Sequence, residues 1–138
     1  MIICKSIKLM AKENYLEEYK LEYAVNSSPK MLYFFLSTPN GLSEWFCDDV
    51  KMKDNVYTFI WNGAEQDAEL VNSKINKQVR FKWLDQPKDS FFEFRIELDE
   101  LTKEVALIIT DFAATEEHEN EKLLWNTQVN TLMHRVGS

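Results

Sequence analysis

The stretch Ser28-Pro29-Lys30-Met31-Leu32-Tyr33-Phe34-Phe35-Leu36-Ser37-Thr38-Pro39-Asn40-Gly41-Leu42-Ser43-Glu44-Trp45-Phe46 is where the hydrophobic period of the chain changes. Ser28 is a good helix-capping residue, and Pro29 suits the first helical position, where its missing N–H costs nothing. Met31, Leu32, Phe34, Phe35 and Leu36 then predict a short helix with a broad apolar face. Thr38-Pro39-Asn40-Gly41 reads as a breaker, and Leu42 to Phe46 as a second, very short helical turn ending in an aromatic pair.

Both flanks read as strand. Upstream, Tyr19, Leu21, Tyr23 and Val25 alternate with Glu18, Lys20, Glu22 and Ala24, so Glu17 to Val25 predicts a half-buried strand of antiparallel type. Downstream, strands are expected near Asp49–Met52, Val56–Trp61, Ala68–Ser73, Gln78–Leu84, Phe91–Leu98 and Val105–Phe112. Polar turn formers separate them, among them Asn62-Gly63, Asn76-Lys77 and Gln86-Pro87-Lys88-Asp89. One long helix closes the chain. Thr115 is its expected N-cap, acidic residues fill its first turn, and His134 and Arg135 precede Gly137. Leu124, Trp125, Val129, Leu132, Met133 and Val136 form its apolar stripe, and at 1.5 Å per residue it reaches roughly 32 Å, enough to cross a small sheet. The expected class is α+β: a curved antiparallel sheet of about seven strands around a long C-terminal helix, with two short helices after the first strand.

Composition narrows the function. The 138 residues are 45% hydrophobic and include nine Phe, four Trp and five Tyr, enough for one core without staples. The net charge is −7, and the halves 1–69 and 70–138 carry seven basic against eleven acidic and nine against twelve side chains, so nucleic-acid binding is disfavoured. Cys4 and Cys47 have no CxxC or Cys/His spacing, which predicts reduced thiols and neither metal nor cofactor. No apolar run is long enough to cross a bilayer, and Met1 to Met10 carries no long apolar signal segment, so membrane insertion is not expected and a cytoplasmic location is. Residues 1–13 read as an N-terminal arm before a domain at 14–138. The alternation of Ile2, Cys4, Ile7 and Leu9 suits pairing with a sheet edge or a neighbouring chain, hence a possible homodimer.

The element order and particular residues resemble the START-like (Bet v 1-like) superfamily. Ser28-Pro29, Leu32-Tyr33, Leu36-Ser37-Thr38 and Leu42 to Trp45-Phe46 resemble its opening signature. Trp125 and Leu132 are similar to a Gly-Trp…Leu signature of domains like the C-terminal domain of the activator of Hsp90 ATPase, with Leu124 in the glycine's place. Phe59-Ile60-Trp61, Val79 to Leu84, Phe92 to Ile96 and Ile109 to Ala113 resemble small bacterial START-like proteins. The resemblance covers about residues 14 to 138 and implies the helix-grip fold. It also implies a hydrophobic ligand between sheet and last helix, or a protein partner. Fold alone does not choose between them.

Strand parity turns Phe59 with Trp61, Phe81 with Trp83, and Phe92 with Phe94 towards that space, with Ile109 and Val129 beside them and Trp45, Phe46 and Trp125 expected to close its ends. Such a lining suits an apolar ligand, although the same rings can simply fill a core. Asp111 continues the face of Val105, Leu107 and Ile109. Pointed inward, it would be an acid, a base or an anchor for a ligand's polar end; otherwise it would bond backbone amides near Ala113 to Thr115. Arg80, Lys82 and Arg95 are expected to face solvent and pair with Glu93 and Glu97, and the run Glu116 to Glu121 is expected to be a solvated helix start. His118 and His134 lie too far apart on one helix to share a metal, and a solvated role is expected for each. Cys47 has no neighbour in sequence to activate it, and three isolated glycines form no phosphate-binding loop, so hydrolase, thiol-protease and nucleotide-binding readings fall away. The reading is a non-enzymatic protein that binds a small hydrophobic ligand, a lipid or aromatic metabolite. The alternatives are a protein-interaction or co-chaperone-like domain and, more weakly, a cyclase-type enzyme using Asp111 as base.

Overall fold

The computed structural model describes residues 16–87 and 89–137. The expected arm with Ile2, Cys4, Ile7 and Leu9 lies outside them. Seven strands are present: β1 (Leu16–Val25), β2 (Asp49–Lys53), β3 (Val56–Trp61), β4 (Ala64–Lys74), β5 (Gln78–Trp83), β6 (Phe92–Leu98) and β7 (Val105–Ala114). They form one sheet in the order β1-β7-β6-β5-β4-β3-β2, every neighbouring pair antiparallel. Two short helices, α1 (Pro29–Ser37) and α2 (Pro39–Leu42), carry the chain from β1 at one edge to β2 at the other. The long helix α3 (His118–Val136) packs its Trp125, Val129 and Leu132 into the core on the sheet's inner face. This is the α+β helix-grip fold.

Local chemistry accounts for the joints. Ser28 caps α1 through its hydroxyl, which accepts from the Met31 amide at 3.1 Å, and Pro29 takes the first helical position. Asn62 and Gly63 both have positive φ, 49° and 84°. That mirror-image turn matches the strand twist, so pairing begins at once with Trp61 opposite Ala64. β4 therefore starts at Ala64 rather than Ala68, and a bulge between Leu70 and Asn72 then bends it.

Three expectations need correction. The second helical turn is not Leu42 to Phe46 but Pro39–Leu42, because Thr38 Oγ1 accepts from the Gly41 amide at 2.9 Å and starts a new helix where a break was expected. Leu42 to Phe46 is the turn that follows, closed by the Phe46 amide on the Leu42 carbonyl at 2.8 Å. Thr115 does not cap the last helix. β7 stays paired with β1 through Ala114, so Thr115–Glu117 leaves the strand as a 3-10 turn without side-chain capping. His118 is only partly solvated: its Nε2 lies 3.0 Å from the Ala113 carbonyl and its ring 4.8 Å from that of Tyr19.

Arg80 and Arg95 pair with Glu93 as expected, but that carboxylate is buried and Lys82 finds other partners. Arg80 donates through Nε and Nη2 to Glu93 Oε1 at 2.9 and 2.7 Å, and Gln78 Nε2 adds a third bond at 3.2 Å. Arg95 lies 3.5 Å from the other Glu93 oxygen, and together these cover a carboxylate that is 3% exposed. Lys82 turns instead to the carbonyls of Gln86 and Pro87, and partial burial lowers its pKa.

Candidate functional site

Alternate residues of the strands face α3. β3 contributes Tyr57, Phe59 and Trp61, β5 Phe81 and Trp83, β6 Phe92 and Phe94, and β7 Ile109 and Asp111, all buried. Trp125 and Val129 of α3 and Trp45 and Phe46 of the loop after α2 are buried with them. All the residues expected at the site thus come together in one interior, and Tyr57 joins them. Ring centroids are 5.0 Å apart for Phe81 and Phe92, 4.8 Å for Trp83 and Phe92, and 5.6 Å for Phe59 and Trp83. Aromatic pairs of this kind contribute about 0.5–1.5 kcal/mol each beyond area burial.

Phe46 does not close an end of this space. Its ring lies in the middle, in contact with Phe59, Trp61, Phe92, Phe94 and Trp125 at 5.1 to 6.0 Å. The cause is the turn at Leu42–Phe46, which delivers the ring inward from outside the sheet and α3. Trp45, by contrast, donates from Nε1 to the Phe35 carbonyl at 2.8 Å and ties this loop to α1.

Asp111 does point inward, 1% exposed. Its Oδ2 accepts from the Trp125 indole at 3.1 Å and lies 3.3 Å from the Tyr19 hydroxyl, and its Oδ1 accepts from the Phe112 amide at 2.8 Å. The Tyr19 hydroxyl also lies 3.2 Å from Glu121 Oε1, so two buried carboxylates converge on one phenol. Burial first, and then the charges of Asp111 and Glu121, push the Tyr19 pKa far up, so it is a neutral phenol. Glu121 was expected in solvent. Its spacing from Trp125, one helical turn, was the signal that both lie on one face.

Gln128 is a further residue not expected here from the sequence. It is 2% exposed and donates from Nε2 to the Phe46 carbonyl at 2.8 Å, an oxygen that also accepts from Trp61 Nε1 at 2.8 Å. Two polar atoms of this interior have no partner among the described residues: the Trp83 indole N–H and the Gln128 Oε1. Buried polar groups are rarely left so. Burial pushes the Cys47 thiol up to about 12, so it is no nucleophile near neutral pH. Among the described residues no group of three His, Cys, Asp or Glu is placed to hold a metal ion, and no helix is long and apolar enough to cross a membrane.

Comparison with known proteins gives the following. A family model described as the START-like superfamily domain matches residues 12–138. A protein of Bacteroides fragilis with a solution structure is 35% identical, over 88% of this chain and 91% of that one, with a TM-score of 0.65. The Aha1 dimer from Colwellia psychrerythraea is 18% identical, over 87% of this chain and 96% of that one, with a TM-score of 0.74. A crystal structure from Mesorhizobium loti is 16% identical, over 86% and 95%, with a TM-score of 0.70. The last two show likeness of fold alone. No curated protein matches the chain at a significant level.

Proposed function

We propose, because this chain belongs to the START-like superfamily, that residues 14–138 form a non-enzymatic binding domain that holds a small hydrophobic molecule between the inner face of the sheet and α3. The observation that carries this reading is the unpartnered Trp83 N–H, fully buried in an aromatic lining. A core that served packing alone gains nothing from an orphaned donor, which costs about 1–3 kcal/mol in desolvation. A ligand with an acceptor removes that cost. Phe59, Trp61, Phe81, Trp83, Phe92 and Phe94 would supply contact from the sheet, with Trp45, Ile109, Trp125 and Val129 around them and Phe46 in their midst. Asp111, already engaged with Tyr19 and Trp125, would act by fixing the Trp125 ring. Native mass spectrometry of protein purified from its own host tests this: a discrete adduct lost on organic extraction is expected. An apo mass, with no apolar compound of a screening set bound, overturns it.

A second reading, a protein-interaction domain, is favoured by the surface of α1, where Met31 and Phe34 are 49% and 43% exposed. A similar fold occurs in the Aha1 dimer, and self-association is the form of this reading that is simplest to measure. Sedimentation is expected to show a dimer that Phe34→Glu dissociates; a monomer at all concentrations removes that form.

A further inference from the structure

Phe46 is attached to neither layer that it packs between. Its ring is near-parallel to one ring from each, Phe92 of β6 at 5.6 Å and 24° and Trp125 of α3 at 5.8 Å and 21°. Phe59 and Phe94 meet it edge-on at 81° and 83°. Its backbone carbonyl takes hydrogen bonds from β3 and α3 at once, through Trp61 Nε1 and Gln128 Nε2. A flat ring with a carbonyl beside it, recognised by stacking and two donors, is how a bound aromatic ligand would be held. We propose that Phe46 is a built-in occupant of the binding site, and that the ligand which displaces it is a flat aromatic molecule carrying a carbonyl-type acceptor next to an N–H or O–H donor. This rests on the ligand-binding reading above and names the ligand class.

The polar inventory sets that class. With Phe46 withdrawn, the interior offers the indole N–H groups of Trp61 and Trp83 and the Gln128 amide N–H as donors, and the Gln128 Oε1 as acceptor. An aliphatic chain alone would leave all four unsatisfied, at the cost of their desolvation. An aromatic carboxamide or hydroxy-carbonyl compound answers them in kind. The way out for Phe46 is also visible. Phe46 and Trp61 reach an open groove of about 340 Å³ that Cys47, Asp48 and Thr131 of α3 also line. Besides the Gln128 bond to the Phe46 carbonyl, the loop meets α3 through an exposed contact, Arg135 Nε lying 3.4 Å from Glu44 Oε1 and 3.3 Å from the Glu44 carbonyl.

The test uses the full chain and two probes, 1-naphthamide and naphthalene, followed by the NMR signals of the indole N–H groups and the Gln128 side-chain amide. An occupant that competes with the ligand lowers apparent affinity by the fraction of time that it is withdrawn, so Phe46→Ala is expected to bind naphthamide about tenfold or more tightly than the wild type, and Arg135→Ala about twofold to threefold. In the wild type, naphthamide is expected to shift the Trp61 and Gln128 N–H signals. Each failure has its own meaning. Equal affinity for naphthalene and naphthamide overturns the polar class while leaving the ligand-binding reading intact. Unchanged affinity in both variants overturns Phe46 as occupant, and Arg135→Ala, a surface change, decides this if Phe46→Ala does not fold. Absence of binding by either probe to any of the three proteins overturns the underlying reading as well.

Discussion

At Trp83 two energies of opposite sign meet. Its indole is fully buried and its N–H has no partner among the described residues. Trp83→Phe keeps a ring, removes the orphaned donor and leaves a small void. Relief of about 1–3 kcal/mol stands against a cavity cost of similar size, so stability in urea is expected to change by less than about 1 kcal/mol. Trp83→Ala has no such relief and is expected to cost about 3–5 kcal/mol. Equal losses in the two variants would show that the N–H is satisfied. Cys47 gives a second residue-scale test. Its thiol sits at about 12 in the folded chain because of burial, against an ordinary 9.0. The folded state thus favours the neutral thiol, and its contribution to stability is fully present below about pH 9 and lost as the pH rises from there to about 12. Cys47→Ala is expected to flatten the alkaline fall of stability over that window. Alkylation of Cys47 by iodoacetamide at pH 8, read by peptide mass, is expected to be far slower in the native protein than in urea; equal rates would mean that the thiol is exposed.

The corner between α1 and α2 is an element-scale device that depends on one glycine and one threonine. A Cβ on Gly41 would lie 2.2 Å from the Phe34 carbonyl oxygen and 2.6 Å from Phe35 Cα, both backbone atoms that cannot swing away. Gly41→Ala is therefore expected to cost at least the upper end of the usual overpacking range, about 3 kcal/mol, in urea unfolding. Gly63→Ala is a control with open space around it and a φ of 84°, and it is expected to cost only about 1–2 kcal/mol of left-handed strain. If the two losses were alike, close approach at Gly41 would not be the cause. Thr38 ends α1 and caps α2 with the same hydroxyl, so Thr38→Ala is expected to cost about 1 kcal/mol and Thr38→Ser almost nothing. This corner also marks how far the sequence could be read. Strand parity placed Phe59, Trp61, Phe81, Trp83, Phe92 and Phe94 on the inner face, because alternation is a local property. The role of Gly41 was not legible as anything but a breaker, since the need for glycine comes from a neighbouring helix. For the same reason Phe46 was expected at an end. Its residue type announced burial, but its depth depends on the turn that Thr38 starts. Glu121 and Gln128 were overlooked because polar residues on a helix are solvated by default, and only the layer opposite makes them interior.

At the scale of the whole molecule, the sheet combines two kinds of pairing. From β2 to β7 each strand pairs with its successor, whereas β1 pairs with β7, bringing Leu16 to Ala114 across nearly the whole described chain. The first kind closes short loops and the second a very long one, and loop closure must be met before distant contacts give any return. The β3–β4–β5 hairpins also have the favourable Asn62-Gly63 turn and the ring contacts of Phe59 with Phe81 and Trp83. They are therefore expected to be formed in the folding transition state, with β1 and α3 docking afterwards. Val79 in β5 and Val25 in β1 are both buried and apolar, so truncation of either to alanine removes comparable contacts. Each is expected to cost about 1–3 kcal/mol, but through different rates. Val79→Ala should slow folding, whereas Val25→Ala should leave the folding rate almost unchanged and speed unfolding, as measured from denaturant dependence by stopped flow. If Val25→Ala slowed folding as much as Val79→Ala, the long-range pairing would belong to the nucleus. The aromatic interior would then close before Phe46 was delivered into it, and the loop that carries Phe46 would have to enter a finished core.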